Sequence, residues 1–173
     1  MPMHPPAPPL VHVRTHGGHR QVTVSWNRAP WLLEAKLLAD SVALVLPATR
    51  TQELGEDEQS SEPRVTNLEV STTIAEGVYA TCARSLGLVN PFPGHVDVSD
   101  VPASAEHAAH ISTTCRPIPD LLPSGALRPV VIMYRRPDEV DLIICFTRYS
   151  FAPSVVEALY LALGRCFATA TEA

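Results

Sequence analysis

The sequence predicts an α+β fold, with a mostly antiparallel sheet built from two β-hairpins plus a further strand and three helices packed on one face. Three observations support this prediction. Side-chain type alternates on both sides of two short turns, other segments are rich in the helix formers Leu and Ala, and 17 prolines among 173 residues separate these segments. A chain of this length normally forms one domain.

The first hairpin is predicted around the turn HGGHR. The flanking stretches LVHVRT and QVTVSW alternate in side-chain type, and the glycines are free to take positive φ. The next segment, WLLEAKLLADSVALVL (residues 31–46), is rich in Leu and Ala and is predicted to be a helix. Its polar residues fall on two sides, so we expect this helix to be covered on more than one face.

The domain organisation follows from the prolines and the charges. Residues 1–9 are predicted to be a proline-rich arm, and residues 10–173 a single α+β domain. Within that domain, PATRTQELGEDEQSSEPR (residues 47–64) begins with a proline and carries five acidic residues, so it is predicted to be an exposed loop.

The middle of the chain alternates between regular and broken segments. VTNLEVS (residues 65–71) is predicted to be a strand, and TTIAEGVYATCARSLGL (residues 72–88) a helix that Gly87 ends. After a proline-rich connection with a short strand at HVDV, the segment SAEHAAHIS is predicted to form one or two helical turns capped by Ser104.

The C-terminal part repeats the plan of a hairpin followed by a helix. PVVIMY and VDLIICF flank the turn RRPDE, TRYSFAP (residues 147–153) is predicted to be a loop, and a helix begins at about Pro153 or Ser154. A shift of 120 residues aligns this unit with residues 9–46, placing Pro9 on Pro129 and Trp31 on Phe151. The alternatives are a duplication and the common physics of a hairpin that leads into a helix.

Composition narrows the possible functions. A net charge of -5 offers no basic surface for nucleic acid, and the longest apolar segment is short and interrupted by charges, so neither nucleic acid nor a membrane is a predicted partner. The four cysteines form no CxxC pair, and the N-terminus has no apolar stretch of the secretory kind. We therefore predict a cytoplasmic protein with free cysteines and no cofactor.

Two stretches carry a resemblance to a known superfamily, EVDLIICFTRYSFAPSVVEALYLALGRCF and, less fully, RQVTVSWNRAPWLLEAKLLADSVALVL. They resemble the closing segment of condensation domains of nonribosomal peptide synthetases and of related chloramphenicol acetyltransferase-like, CoA-dependent acyltransferases. The resemblance implies an acyltransferase-like protein of peptide or polyketide biosynthesis, with an acyl thioester carrier as a partner.

The catalytic residues of that superfamily are missing here. Its members use a histidine in the motif HHxxxDG as a general base, and in the acetyltransferase-like ones the motif lies where TRYSFAP stands in this chain. Arg148 occupies the place of a histidine, and an arginine stays protonated near neutral pH. The resemblance therefore implies a catalytically silent or partial lobe, with Arg148, Tyr149, His110 and Cys115 as the candidate residues.

The segment EHAAHISTTC offers two further hypotheses. On a helix His107 and His110 would share a face, and with Cys115 they could supply three zinc ligands. Cys115 with His110 or His95 is also the pairing that could form a nucleophile and its base. The alternative is a polar helix face followed by a structural cysteine, and on balance no metal is predicted.

A non-enzymatic function is the alternative to the acyltransferase hypothesis. The final helix is apolar over much of its circumference, which predicts core burial or, alternatively, a binding or assembly module that uses this apolar helix face for a protein partner or for self-association. Strand order separates the two hypotheses: a last hairpin beside residues 65–71 favours the acyltransferase lobe. That lobe also requires a tunnel beside residues 147–153.

Overall fold

The structure is a computed structural model that describes residues 8–28, 31–52, 65–116 and 128–170. These residues form eleven strands and two helices, which are named here in chain order. The strands are β1 (Leu10–His16), β2 (His19–Arg28), β3 (Trp31–Leu37), β4 (Ser41–Leu46), β5 (Thr49–Gln52), β6 (Thr66–Ser71), β7 (Val96–Val101), β8 (His110–Cys115), β9 (Val131–Arg135), β10 (Val140–Ile144) and β11 (Thr147–Phe151). The helices are α1 (Thr72–Ser85) and α2 (Ser154–Ala170).

The strands form two antiparallel sheets. The first sheet has the order β1-β2-β3-β4-β6, and the second has the order β5-β11-β10-β9-β8-β7. The predicted architecture, one sheet of two hairpins and a further strand with three helices on one face, is therefore wrong. The described residues contain two sheets and two helices.

The main error lies in residues 31–46, which form β3 and β4 rather than a helix. Leu33, Ala35 and Leu37 are buried, whereas Glu34 and Lys36 between them point to the other face. This period of two is the strand period, so Glu34 and Lys36 share one face of β3, while Asp40 lies in the connection between β3 and β4. Tertiary burial overrides the helix propensity of Leu and Ala here.

Both predicted hairpins are confirmed. In the first, His16 pairs with His19 across a turn in which Gly17 and Gly18 take φ of 57° and 81°. Positive φ at both central residues is the geometry of a type I′ turn, which matches the twist of the paired strands. The second hairpin pairs β9 with β10.

Two segments predicted as irregular or helical belong to strands. TRYSFAP supplies β11, and the actual turn before it consists of Cys145 and Phe146, with φ of 47° and 75°. The helical turns predicted at 104–112 are not formed. Residues 104–109 are neither helix nor strand, and β8 begins at His110. The Ser104 hydroxyl does accept a hydrogen bond from the N–H of His107, at 3.1 Å, so the predicted cap stabilises a turn instead.

Two of the predicted segments, the arm and the exposed loop, are only partly covered by the described residues. Of the predicted arm at 1–9, residues 1–7 lie outside the described residues. In the predicted exposed loop at 47–64, Ala48 is buried and residues 49–52 form β5, while residues 53–64 lie outside the described residues.

Each helix crosses to the sheet that it does not follow. α1 follows β6 of the first sheet and packs mainly on β7, β8 and β9 of the second. α2 follows β11 of the second sheet and packs on β2 and β3 of the first. Buried side chains from both sheets and both helices form one continuous core. The predicted match between the chain ends fails on this point, because the N-terminal hairpin continues into strands and not into a helix.

The ends of α1 confirm the predicted limits of that helix. The Ser71 hydroxyl accepts a hydrogen bond from the N–H of Ile74 at 3.2 Å, which caps the N-terminus. Gly87 follows the last turn with φ of 75°, as expected of a helix stop. Neither of the two described helices is long and apolar enough to cross a membrane.

Candidate functional site

Arg148 and Tyr149, the candidates from the acyltransferase resemblance, lie on opposite faces of the second sheet. Arg148 pairs with Ile143 and is exposed, whereas Tyr149 pairs with Leu142 and is buried in the core. Successive residues of a strand point to opposite faces, so these two side chains do not act on one substrate.

His110 and Cys115 are the two ends of β8. They are five residues apart, which places them on opposite faces and roughly 17 Å apart along the strand. Cys115 is buried, and this burial raises the pKa of its thiol to about 11. The structure therefore does not bring His110 and Cys115 together. The ring of His95, the other histidine of the nucleophile hypothesis, lies 3.0 Å from a carboxylate oxygen of Glu76.

The geometry of β8 also separates the three residues of the zinc hypothesis. The rings of His107 and His110 are neighbours, with centroids 6.3 Å apart, but Cys115 lies on the other side of the sheet. Among the described residues no group of three His, Cys, Asp or Glu side chains is placed to hold a metal ion.

A cleft of about 430 Å³ lies where α1 ends against the second sheet. It is lined by Arg84, Asp100, Val101, Pro102, Ala109, His110, Ile111, Met133 and Arg135. The charged side chains that line this cleft form an ion pair and a helix cap, which stabilise the fold. The Arg84 guanidinium donates two hydrogen bonds to Asp100, at 3.1 and 2.7 Å, and holds the pKa of that carboxyl below its usual value. Arg135 donates to the carbonyl of Ser85 at 2.7 Å and so caps α1.

A second cleft of about 440 Å³ lies at one end of the first sheet. It is lined by Leu10, Ser25, Trp26, Leu32, Leu33, Glu34, Val45 and Val65. Neither of these two clefts is lined by residues 147–153, where the acyltransferase hypothesis requires a tunnel.

Strand order also gives the acyltransferase hypothesis no support. The last hairpin, β9 with β10, lies in the second sheet, and residues 66–71 form the edge of the first sheet. These two elements are therefore not neighbours in the described part of the chain.

The apolar surface of α2 is largely buried. Val155, Val156, Leu159 and Leu163 belong to the core, as the core-burial prediction expected. On its flank, Tyr160 stacks on Tyr79 of α1 at 5.0 Å between ring centroids. Burial and the hydrogen bond with Tyr160 raise the pKa of Tyr79 to about 12. The helix face proposed for a partner is thus mostly occupied by the chain itself.

The strand β1 leaves three apolar side chains uncovered. It forms an edge of the first sheet, and Leu10, Val11 and Val13 are 70%, 37% and 46% exposed. Val11 pairs with Val24 and Val13 with Val22, so both belong to the sheet face that packs on α2. Because α2 packs on β2 and β3, these two valines extend the core face beyond the helix.

The other face of β1 carries two basic side chains beside the exposed Leu10. His12 and Arg14 alternate with the valines, and both side chains are exposed. Neither has a carboxylate partner within the described ranges. We call the free side of β1, with Val11 and Val13 on one face and His12 and Arg14 on the other, the β1 edge.

Two other sheet edges carry acidic side chains. β6 exposes Glu69, and β7 exposes Asp97 and Asp100. Charges on an edge strand hinder pairing with further strands. The β1 edge differs, because LVHVRTH contains no acidic residue and exposes Val11 and Val13. Sequence reasoning found this strand but missed its role, since the order of strands in a sheet is not visible in one sequence.

Comparisons with known proteins identify no relative. A scan against protein-family models, a search of curated proteins and a search of solved structures each gave no match. The fold and the site define a class of architecture: an antiparallel two-sheet α+β domain whose edge strand β1 exposes aliphatic side chains.

Proposed function

We propose that this chain is a non-enzymatic binding or assembly module that takes up an extended polypeptide strand along the β1 edge. The observation that carries the proposal is that all seven residues of β1 pair with β2 on one side, while the other side is a sheet edge. About half of the N–H and C=O groups of such a strand point away from the sheet and are open to a further strand.

Strand addition would also complete the burial of the first sheet. Val11 and Val13 lie on its core face and are a third to a half exposed. Covering the remaining area of each valine contributes roughly 1 kcal/mol, in addition to the backbone hydrogen bonds. The β1 edge is therefore the surface where a partner strand gains most.

This proposal moves the binding surface from the apolar helix face to the sheet edge, because the apolar residues of α2 are buried in the core. An acyltransferase function remains a prediction from the resemblance alone. A cytoplasmic location belongs to the proposal, and it is supported by the four cysteines, which are all free thiols.

Amide hydrogen exchange in the presence of a pool of extended heptapeptides tests the proposal. We expect the added peptides to slow amide exchange in β1 more than in β6 or β7, because a bound strand engages the β1 amides that face away from β2. Val13→Lys should abolish this protection, since it places a charge on the apolar face. Val89→Lys is the matched control, because Val89 is 88% exposed and lies outside both sheets. Protection that survives Val13→Lys, or that appears at another edge, contradicts the proposal.

A further inference from the structure

We infer that the strand bound at the β1 edge alternates aliphatic and acidic residues and comes from a partner protein rather than from a second copy of this chain. The inference rests on the proposed function and specifies its partner.

The face that packs on α2 selects aliphatic side chains. Val11 and Val13 continue the rows of Val24 and Val22, which are fully buried. A strand added beside β1 places every second side chain on this face, directly next to these valines. A polar side chain at those positions would be partly desolvated without a partner.

The opposite face selects acidic side chains. Arg14 brings a guanidinium group with five N–H donors, and His12 brings an imidazole ring with an N–H donor. Across β2 these residues pair with Gln21 and Thr23, which are uncharged. The remaining side chains of an added strand lie next to Arg14 and His12, where a carboxylate provides a charge that no residue of the described ranges supplies. Together the two faces require alternation of aliphatic and acidic residues.

A second copy pairing through β1 does not meet this requirement. An antiparallel pair centred on Val13 places Arg14 of one copy opposite His12 of the other, so basic groups face each other across the twofold axis. No carboxylate of β1 is available to either copy, because LVHVRTH contains no acidic residue.

The strand β6 of a second copy is the strongest competitor. It carries Glu69 between Leu68 and Val70 and so shows part of the required alternation. Glu69 already accepts a hydrogen bond from Ser41 at 3.2 Å within its own sheet. Pairing of β1 with β6 of the next copy is also heterologous, and such contacts extend without closing unless the rotation forms a ring. Growth of the particle mass with concentration would reveal it.

Three synthetic heptapeptides serve as probes, with the patterns Val-Glu, Val-Lys and Ser-Glu in alternation and with blocked ends. Binding of each peptide to the full chain is measured by calorimetric titration and by amide exchange of β1. The Val-Glu peptide should bind most tightly. The Val-Lys peptide lacks the carboxylates and the Ser-Glu peptide lacks the aliphatic residues, so each should bind at least tenfold more weakly.

Charge reversal provides the decisive variant. Arg14→Glu should weaken the Val-Glu peptide at least fivefold and strengthen the Val-Lys peptide, and the preference should shrink in high salt. Arg148→Glu is the matched control, because Arg148 is an exposed arginine on the second sheet. Its affinities should equal those of the original chain.

The outcomes separate this inference from the proposed function. Equal binding of the Val-Glu and Val-Lys peptides, with β1 protected, overturns the partner class but leaves strand addition intact. No binding of any of the three peptides, with β1 unprotected and a constant mass in light scattering, overturns both. A mass that grows with concentration and returns to the monomer in Glu69→Lys shows that the partner is a second copy, which overturns the inference alone.

Discussion

Gly77 of α1 lies directly against Cys115 of β8, since a Cβ atom on Gly77 would lie 2.6 Å from the Cys115 Sγ atom. This distance is shorter than real contacts allow, so only glycine permits α1 to pack on β8 at this depth. The contact explains a glycine in a helix interior, where it weakens the helix by about 1 kcal/mol relative to alanine.

Gly77→Ala should therefore destabilise the fold by roughly 1 to 2 kcal/mol, because the cost of overpacking exceeds the gain in helix propensity. Urea unfolding followed by circular dichroism measures the change. Gly94→Ala is the matched control and should change little, since no atom lies within 4 Å of the added Cβ position. The double variant Gly77→Ala with Cys115→Ala should recover part of the loss; equal instability with and without the cysteine would disprove the steric cause.

Thr81 and Thr113 share a buried hydrogen bond of 2.7 Å between their hydroxyl groups. Thr81 donates its single hydroxyl hydrogen to the carbonyl of Gly77, also at 2.7 Å, so Thr113 must be the donor to Thr81. Thr113→Val should cost about 1 kcal/mol. Thr81→Val should cost more, roughly 2 kcal/mol, because it leaves the buried Thr113 hydroxyl without an acceptor.

Thermal unfolding of the two threonine variants and of the double variant distinguishes these roles. The two losses should not add, since replacing both hydroxyls by methyl groups leaves neither of them unpaired. A larger loss for Thr113→Val than for Thr81→Val would reverse the assigned direction of the hydrogen bond.

Asp141 is the most buried carboxylate among the ion pairs of the described residues, with a side chain only 8% exposed. It accepts hydrogen bonds from Ser150 at 2.7 Å and from Arg136 at 2.5 Å. Asp141→Ala should cost roughly 2 kcal/mol, because it removes both bonds and leaves the Ser150 hydroxyl without its acceptor. Chemical denaturation measures the loss.

The exposed pair of Arg136 and Glu139 is the comparison for this prediction. The two groups lie 2.8 Å apart, and both side chains are about half exposed. Glu139→Ala should cost less than about 1 kcal/mol, as exposed ion pairs do. If Glu139→Ala and Asp141→Ala proved equally destabilising, burial would not be the source of the Asp141 contribution.

Buried thiols make stability fall at high pH. Burial raises the pKa of Cys82 from 9.0 to about 12. Between these values the unfolded chain releases the thiol proton and the folded chain keeps it, so the free energy of unfolding decreases as pH rises from about 9 towards 12. Cys82→Ala should make this decrease shallower in unfolding measurements from pH 8 to 11. Cys145→Ala, at an exposed cysteine, should change the slope less.

The thiols also differ in access. Cys145 is exposed, whereas Cys82, Cys115 and Cys166 are buried. An alkylating reagent at neutral pH should therefore modify one thiol of the native protein and four after denaturation, as counted by mass spectrometry. Rapid modification of more than one thiol in the native state would contradict the described core.

The sequence predicted both hairpins, the strand β6 and the two helices α1 and α2, because turn glycines, caps and periodicity are local signals. Gly17 and Gly18 specify their turn, and Ser71 and Gly87 mark the limits of α1. The helix predicted at residues 31–46 is wrong. Leu and Ala favour helices, but packing of β3 on α2 buries every second side chain, which is the period of a strand.

The candidate site was beyond sequence reasoning for a physical reason. Whether β1 is an edge or a central strand depends on pairing between distant segments. His110 and Cys115 are the two ends of the strand β8, which places them on opposite faces, and a strand was not predicted at this segment. The loop expected at 147–153 is a strand because its turn consists of Cys145 and Phe146, two residues that rarely adopt positive φ.

The crossing of the helices makes the two halves of the chain mutually dependent. A cut between Leu88 and Val89 would separate β1 to β6 with α1 from β7 to β11 with α2, and each fragment would carry the helix that covers the other fragment's sheet. Each fragment alone would expose an uncovered sheet face and the apolar side of its own helix. Native structure would then return only by complementation of the mixed fragments, with a rate that depends on their concentration.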